Sequence, residues 1–213
     1  ASLSQTESGW HLQGEKYWIS AGASATHFVV LADSCNGLAW VLVAKEAAGL
    51  SCETFPTHDG KGGANCHFDL AISDDQILLM GDAAAEALSA FRECAMVVSS
   101  AETLGAAQAA LDTTVDYTKQ REQFGQPLAS FQALQHRMAN MLIQTELTRS
   151  LVYAACDAAD RDAMDRGRFA RAAKVKSAAV GRKVTQEAIQ LHGGIATTDE
   201  YIVGHFFKRV TAL

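Results

Sequence analysis

The hydrophobic period of the sequence changes near Gly81, and this limits the chain to folds with an extended half and a helical half. Upstream, apolar residues alternate over short runs, "WHLQGEKYWIS", "HFVVLA", "LAWVLVA", "LSCETF" and "CHFDLAI", separated by Gly, Asp, Ser and Asn. Period-two runs between turn residues read as half-buried strands. The first run alternates around Gln13-Gly14, which reads as a hairpin turn. Downstream the sequence is rich in alanine, and Leu88, Phe91, Ala95, Val98, Gly105 and Ala109 share one stripe of a long helix. "KQREQFGQPLAS", from Lys119 to Ser130, interrupts that helix with Gly125 and Pro127. A second helix opens near Phe131, with Leu134, Met138, Met141 and Leu142 on its inner face. A third runs roughly from Ala163 to Leu191 and stops at Gly193-Gly194. Thr197 and Glu200 then have the spacing of a capping box for a fourth. The expected architecture is α+β: a small antiparallel β domain over residues 1–81, sandwich or barrel, then an antiparallel helical bundle over residues 82–213.

Composition narrows the function. With a net charge of −6 and no cluster of Lys and Arg, the chain has no electrostatic footprint for nucleic acid. No apolar run approaches the ~18 residues of a membrane span. Five cysteines (Cys35, Cys52, Cys66, Cys94, Cys156) are an odd number without a CxxC pair. That pattern fits reduced thiols in the cytoplasm better than a disulfide framework or a metal site.

Three stretches have a chemical reading beside a structural one. In "REQFG", Arg121 to Gly125, the structural reading is a helix connection whose Phe124 plugs the core. The chemical reading is an anion site, with the planar fork of Arg121 on a phosphate, Phe124 as a flat apolar wall and Gln132 as an amide. In "QLHGG" the glycines are an ordinary helix stop. They also let a backbone or a flat ring approach closely, with Gln190 able to read the edge of a base. His192 beside them is a turn residue rather than a catalyst. In "KYWISAG", Trp18 and Ser20 share one strand face, where tryptophan is usually core but can wall a planar heterocycle.

The order and spacing of these stretches carry more than any one of them. "GWHLQGEKYWISAGASATHFVVLA", "REQFGQPLASFQALQHRMANM" and "AIQLHGGIATTDEY" together resemble the acyl-CoA dehydrogenase family, over nearly the whole chain. The resemblance implies FAD as cofactor, an acyl-CoA thioester as substrate and an electron-transfer flavoprotein as electron acceptor. It implies that the segment of Trp18, Ile19 and Ser20 packs on the flavin ring. It places Arg121, Gln123, Phe124 and Gln132 on the pyrophosphate and adenine side of FAD across a subunit interface. It places Gln190, Gly193 and Gly194 at the adenosine end, again from a neighbouring subunit. The expected assembly is a homotetramer, or a heterotetramer with a homologous chain.

The chain also departs from the family. The N-terminal helical domain, a "T-E-P-x-x-G-S-D"-like loop and the "L-G-x-R-x-S" pattern are not found, and the sequence stops before the segment that usually carries the catalytic glutamate. These departures resemble the smaller, divergent subunit of bacterial two-subunit acyl-CoA dehydrogenases. An alternative base position on the first bundle helix offers Glu93 at best. About two turns further on lies Glu102, on the predicted apolar stripe, either paired or raised in pKa and available as the base. Two other readings remain: a non-catalytic subunit that completes a partner's FAD site, and a flavin monooxygenase on the same fold.

Overall fold

The computed structural model describes residues 1–7 and 9–213. The chain divides into two units, Ala1–Phe91 and Arg92–Leu213. The first contains strands β1 (Ser2–Thr6), β2 (Gly9–Ser20), β3 (His27–Ser34), β4 (Gly37–Ala44), β5 (Leu50–Phe55), β6 (Gly63–Ile72) and β7 (Ile77–Met80). They form one seven-stranded sheet in the order β5-β6-β2-β1-β3-β4-β7. Its pairs are antiparallel except β1 with β3. Alternation is clearest in β6, where Ala64, Cys66, Phe68, Leu70 and Ile72 are buried. They join Leu12, Phe28, Val41 and Val43 in one core. Each fully buried Leu, Val or Phe contributes about 1.5–3 kcal/mol.

Two expectations for this unit are corrected. No turn forms at Gln13-Gly14, because β2 continues through it and pairs Gly14 with Phe68. Glycine serves there because a Cβ would lie 2.7 Å from the Ala1 Cα, at a φ of 129°. The cysteines are not all free: Cys52 and Cys66 form a disulfide between directly opposed positions of β5 and β6. Antiparallel register brings together two residues with no sequence motif between them, so cysteine spacing alone does not reveal the bridge. Cys35, Cys94 and Cys156 are free.

Helix α1 (Asp82–Gln120) begins in the first unit, where the Trp40 indole N–H donates to the Ala84 carbonyl at 2.9 Å. The second unit adds α2 (Gln132–Asp160), α3 (Arg166–His192) and α4 (Ile202–Ala212). Residues 161–165 join α2 to α3. Ala107, Ala110, Leu111, Met141, Val180, Val184 and Leu191 build one cluster of the bundle core, and Val97, Leu104, Val152, Ala155 and Ala173 another.

The inward face of α1 is not the predicted stripe. Phe91 and Val98 are 59% and 60% exposed, and Ala95 and Gly105 are exposed as well. Buried instead are Val97, Ser100, Thr103, Leu104, Ala107, Leu111, Thr114 and Thr118. Thr103 and Thr114 donate their hydroxyls to the carbonyls of Ser99 and Ala110 four residues back, at 2.8 and 2.6 Å. A helix can bury polar residues satisfied in this way, and an apolar period misses them. On α2, Met141 is buried as expected, whereas Leu142 is 48% exposed.

The predicted capping box also fails. A 3₁₀ turn, Gly193–Thr197, follows α3, and α4 starts after Tyr201 without a side-chain cap. Thr197 and Thr198 instead donate back to the carbonyls of Gly194 and Ile195, both at 2.8 Å. Among the described residues, no helix is long and apolar enough to cross a membrane, and no group of three His, Cys, Asp or Glu could hold a metal.

Candidate functional site

Between α1 and α2 the chain makes a small hairpin, pairing Glu122 with Pro127 and Gln123 with Gln126. Its tip is Phe124-Gly125, with φ values of 56° and 81°. Two successive left-handed residues are the mark of a type I′ turn, where Asn or Asp is usual and a bulky side chain is strained. Phe124 is 90% exposed, so it does not plug the core. The edge of its ring meets Phe131 with centroids 6.2 Å apart, and Phe131 is the residue that precedes α2. The Leu128 N–H donates to the Arg121 carbonyl at 2.8 Å and closes the base of the hairpin. Arg121, Gln123 and Gln132 are exposed. The first turn of α2 has neither an acidic residue nor a side-chain cap, so its leading N–H groups remain available to an anion. The structure thus gathers Arg121, Gln123, Phe124 and Gln132 around one hairpin and one helix start. Phe131 belongs with them, and its place directly before Gln132 in "SFQ" was the available signal.

At the other end of the bundle, Gly193 stops α3 with φ 70° and ψ −147°. A Cβ on Gly193 or on Gly194 would meet nothing within 4 Å, so the turn presents bare backbone with open space beside it. Gln190 is exposed one turn earlier. His192, by contrast, is buried at 5% exposure. Its Nδ1–H donates to the Ala188 carbonyl at 2.7 Å, and its ring stacks on Tyr117 with centroids 4.3 Å apart. Burial pushes its pKa below the ordinary value, which keeps the ring neutral.

Trp18 lies on β2, but the alternation expected of it is broken. The β2–β6 register shifts between Lys16 and Ile19, and Trp18 takes a left-handed φ of 56°. A bulge of this kind re-aims a side chain. Trp18 is 77% exposed, and Ser20 is exposed too. Its backbone N–H donates to the Asn65 Oδ1 at 3.0 Å, and its ring meets Phe55 edge-on at 5.0 Å. Neither Asn65 nor Phe55 stands out in the sequence, since Asn65 comes from β6, which pairs with β2, and Phe55 from β5 on the far side of β6.

Both candidate carboxylates are engaged by arginine. The Glu102 Oε1 accepts from the Arg209 Nε at 2.6 Å and its Oε2 from the Arg209 Nη2 at 3.0 Å, a bidentate pair between α1 and α4. Glu93 accepts from the Arg166 Nε at 2.8 Å. A Cβ on Gly167 of α3 would come within 2.5 Å of the Glu93 Oε1, so this carboxylate packs tightly against that helix.

The fold is that of the acyl-CoA dehydrogenases. The chain superposes on a variant of the Tcur3481-Tcur3483 steroid ACAD with a TM-score of 0.87 and 32% identity, covering 99% of this chain and 56% of that one. Residues 80–213 match the family model of the acyl-CoA dehydrogenase C-terminal domain, and the chain belongs to the acyl-CoA dehydrogenase family. It is 31% identical over 208 residues to the probable acyl-CoA dehydrogenase fadE25 of Mycobacterium leprae (strain TN), covering 93% of this chain and 54% of that protein. It is 34% identical over 200 residues to the 3-sulfinopropanoyl-CoA desulfinase of Paraburkholderia xenovorans (strain LB400), covering 87% of this chain and 50% of that one. The chain therefore spans about half the length of the curated relatives it matches.

Proposed function

We propose that this chain is part of an FAD-dependent acyl-CoA dehydrogenase, which introduces an α,β double bond into an acyl-CoA thioester and passes electrons to an electron-transfer flavoprotein. The observation that carries this is Phe124, held at a strained left-handed φ of 56° and 90% exposed on the same hairpin as Arg121. Bulky residues held in that conformation cluster at active sites and ligand clamps.

The residues present fit FAD. Arg121 and the uncapped start of α2 suit the pyrophosphate, while Phe124, Gln123 and Gln132 suit the adenine side. Gln190 and the bare Gly193-Gly194 turn suit the adenosine end, contributed to a neighbouring subunit. Exposed Trp18, with Ile19 and Ser20, suits the flavin ring. Bound FAD would supply acceptance of the hydride from the substrate β carbon. The α proton must go to a carboxylate. A carboxylate oxygen that already accepts from a guanidinium is not free to meet a substrate proton. The arginine pairs of Glu93 and Glu102 therefore favour a base from outside these two residues, and Glu102 as an anchor for α4.

The same pairs favour a second reading, in which this chain completes the FAD site of a homologous partner that holds the base. The joined names of the Tcur3481-Tcur3483 steroid ACAD are consistent with such a pair. Because another relative is named a desulfinase, the assay must report on the reaction itself. The full-length protein should purify yellow, and acyl-CoA alone should bleach its flavin under anaerobic conditions. Bound flavin that bleaches only with a second homologous chain present would support the completing role. Bleaching that needs NADH, with oxygen then consumed, would replace both readings with a monooxygenase.

A further inference from the structure

We infer that Tyr117, His192 and Tyr201 form an aromatic clasp that sets the Gly193-Gly194 turn and so governs the grip on the adenosine end of the dinucleotide. The inference rests on the reading of that turn given above. Two adjacent glycines with open space around them have wide conformational freedom, so their geometry must be imposed from the flanks.

The flank on the α3 side is unusually well fixed. The His192 ring stacks on Tyr117 with an interplanar angle of 29° and leans against Tyr201 at 5.1 Å. Tyr117 and Tyr201 meet edge to face at 6.2 Å, which closes a three-ring cluster drawn from α1, the end of α3 and the approach to α4. The Tyr117 hydroxyl also donates to the His192 carbonyl at 3.3 Å, and that carbonyl belongs to the peptide that leads into Gly193. The N–H of the same peptide donates to the Ile189 carbonyl. Both polar atoms of the entering peptide are thus held, and its plane cannot rotate freely.

His192 contributes shape more than polarity. Its Nε2 is buried without a hydrogen-bond partner among the described residues. A buried lone pair without a donor is unfavourable, so the ring keeps its place through stacking and its one Nδ1–H bond.

The test uses the full-length protein in its native oligomer, with dissociation constants for FAD and for ADP as the adenosine-end probe. In Tyr117→Phe the rings stay and the donor to the His192 carbonyl is lost. Both affinities should fall about five- to tenfold, while loss of the internal bond lowers the ligand-free unfolding midpoint by only about a few degrees and the protein stays folded. His192→Ala should weaken both further, and His192→Phe, which restores the stacked ring, should recover most of that loss. If His192→Ala does not fold, Tyr117→Phe and His192→Phe carry the test. Wild-type affinity for FAD and ADP in Tyr117→Phe, with wild-type protein binding both, overturns the clasp alone. A wild-type protein that binds neither overturns the clasp together with the reading of the turn.

Discussion

Arg121 and Phe124 share one hairpin but differ in what their loss should do. Arg121 is exposed, so Arg121→Ala should leave the fold untouched while removing the charge-assisted contact proposed for the FAD pyrophosphate. FAD retention after gel filtration should drop about tenfold or more, and unchanged flavin content would remove Arg121 from the site. Glu102→Gln keeps the shape and breaks an ion pair whose acid side chain is 43% exposed. The loss of stability should stay below about 1 kcal/mol in a denaturant melt, since half-exposed pairs contribute little. Turnover should persist while FAD stays bound; a collapse of turnover would make Glu102 the base after all. His192 gives the chain a pH dependence of definite sign. Its folded pKa lies below the ordinary value of 6.5, so the unfolded chain takes up a proton first as the solution is acidified. Its contribution to stability is therefore complete above that pH and shrinks as the pH falls below it. The unfolding midpoint should fall between pH 7 and pH 5, and less steeply in His192→Phe, where Tyr117 and Tyr201 are the rings that remain around the site.

Among the elements, α1, α3 and α4 meet at Gly181. A Cβ there would lie 2.4 Å from the Thr103 Cγ2 and 3.0 Å from the Val210 Cγ1. Gly181→Ala should accordingly destabilise the bundle by about 1–3 kcal/mol in a denaturant melt, the usual effect of overpacking. In the sheet, the Cys52–Cys66 bridge spans a sequence separation of 14, and its removal by paired alanine substitutions should lower stability by up to about 3 kcal/mol. Thiol titration of the unfolded, unreduced protein checks the premise: Cys35, Cys94 and Cys156 should react, and Cys52 and Cys66 should not. The long strands and helices were legible in the sequence, because β3, β4 and β6 alternate and glycines mark the break at Phe124-Gly125 and the stop at Gly193. Strand β1 was not, since Leu3 is its one buried residue, nor was the short edge strand β7. The inner face of α1 was misread because its threonines are buried by bonding to their own helix. The bulge at Trp18 breaks an alternation that the sequence itself shows no reason to break.

At the scale of the whole molecule, the motifs that mark the family were readable, whereas the partners of the carboxylates were not. Arg209 lies 107 residues from Glu102 and Arg166 lies 73 from Glu93, so only folding brings them together. The outward side of α2 also carries Ile143, Leu147 and Tyr153 at 53%, 55% and 62% exposure, an apolar surface of the sort that subunits cover. The full-length protein should sediment as a dimer of dimers, homomeric or with a homologous chain, and a monomer at micromolar concentration would contradict this. The exposure of Trp18 has an optical consequence. Trp10 gives its indole N–H to the Asp74 Oδ1 at 3.0 Å and Trp40 gives its own to the Ala84 carbonyl, and both are half-buried, so they are better shielded from solvent than Trp18. Trp18 stands in solvent, and its fluorescence should be the red-shifted part of the spectrum. An isoalloxazine packed against it would quench that part first, so the colour of the light lost on adding cofactor reads out where the ring has docked.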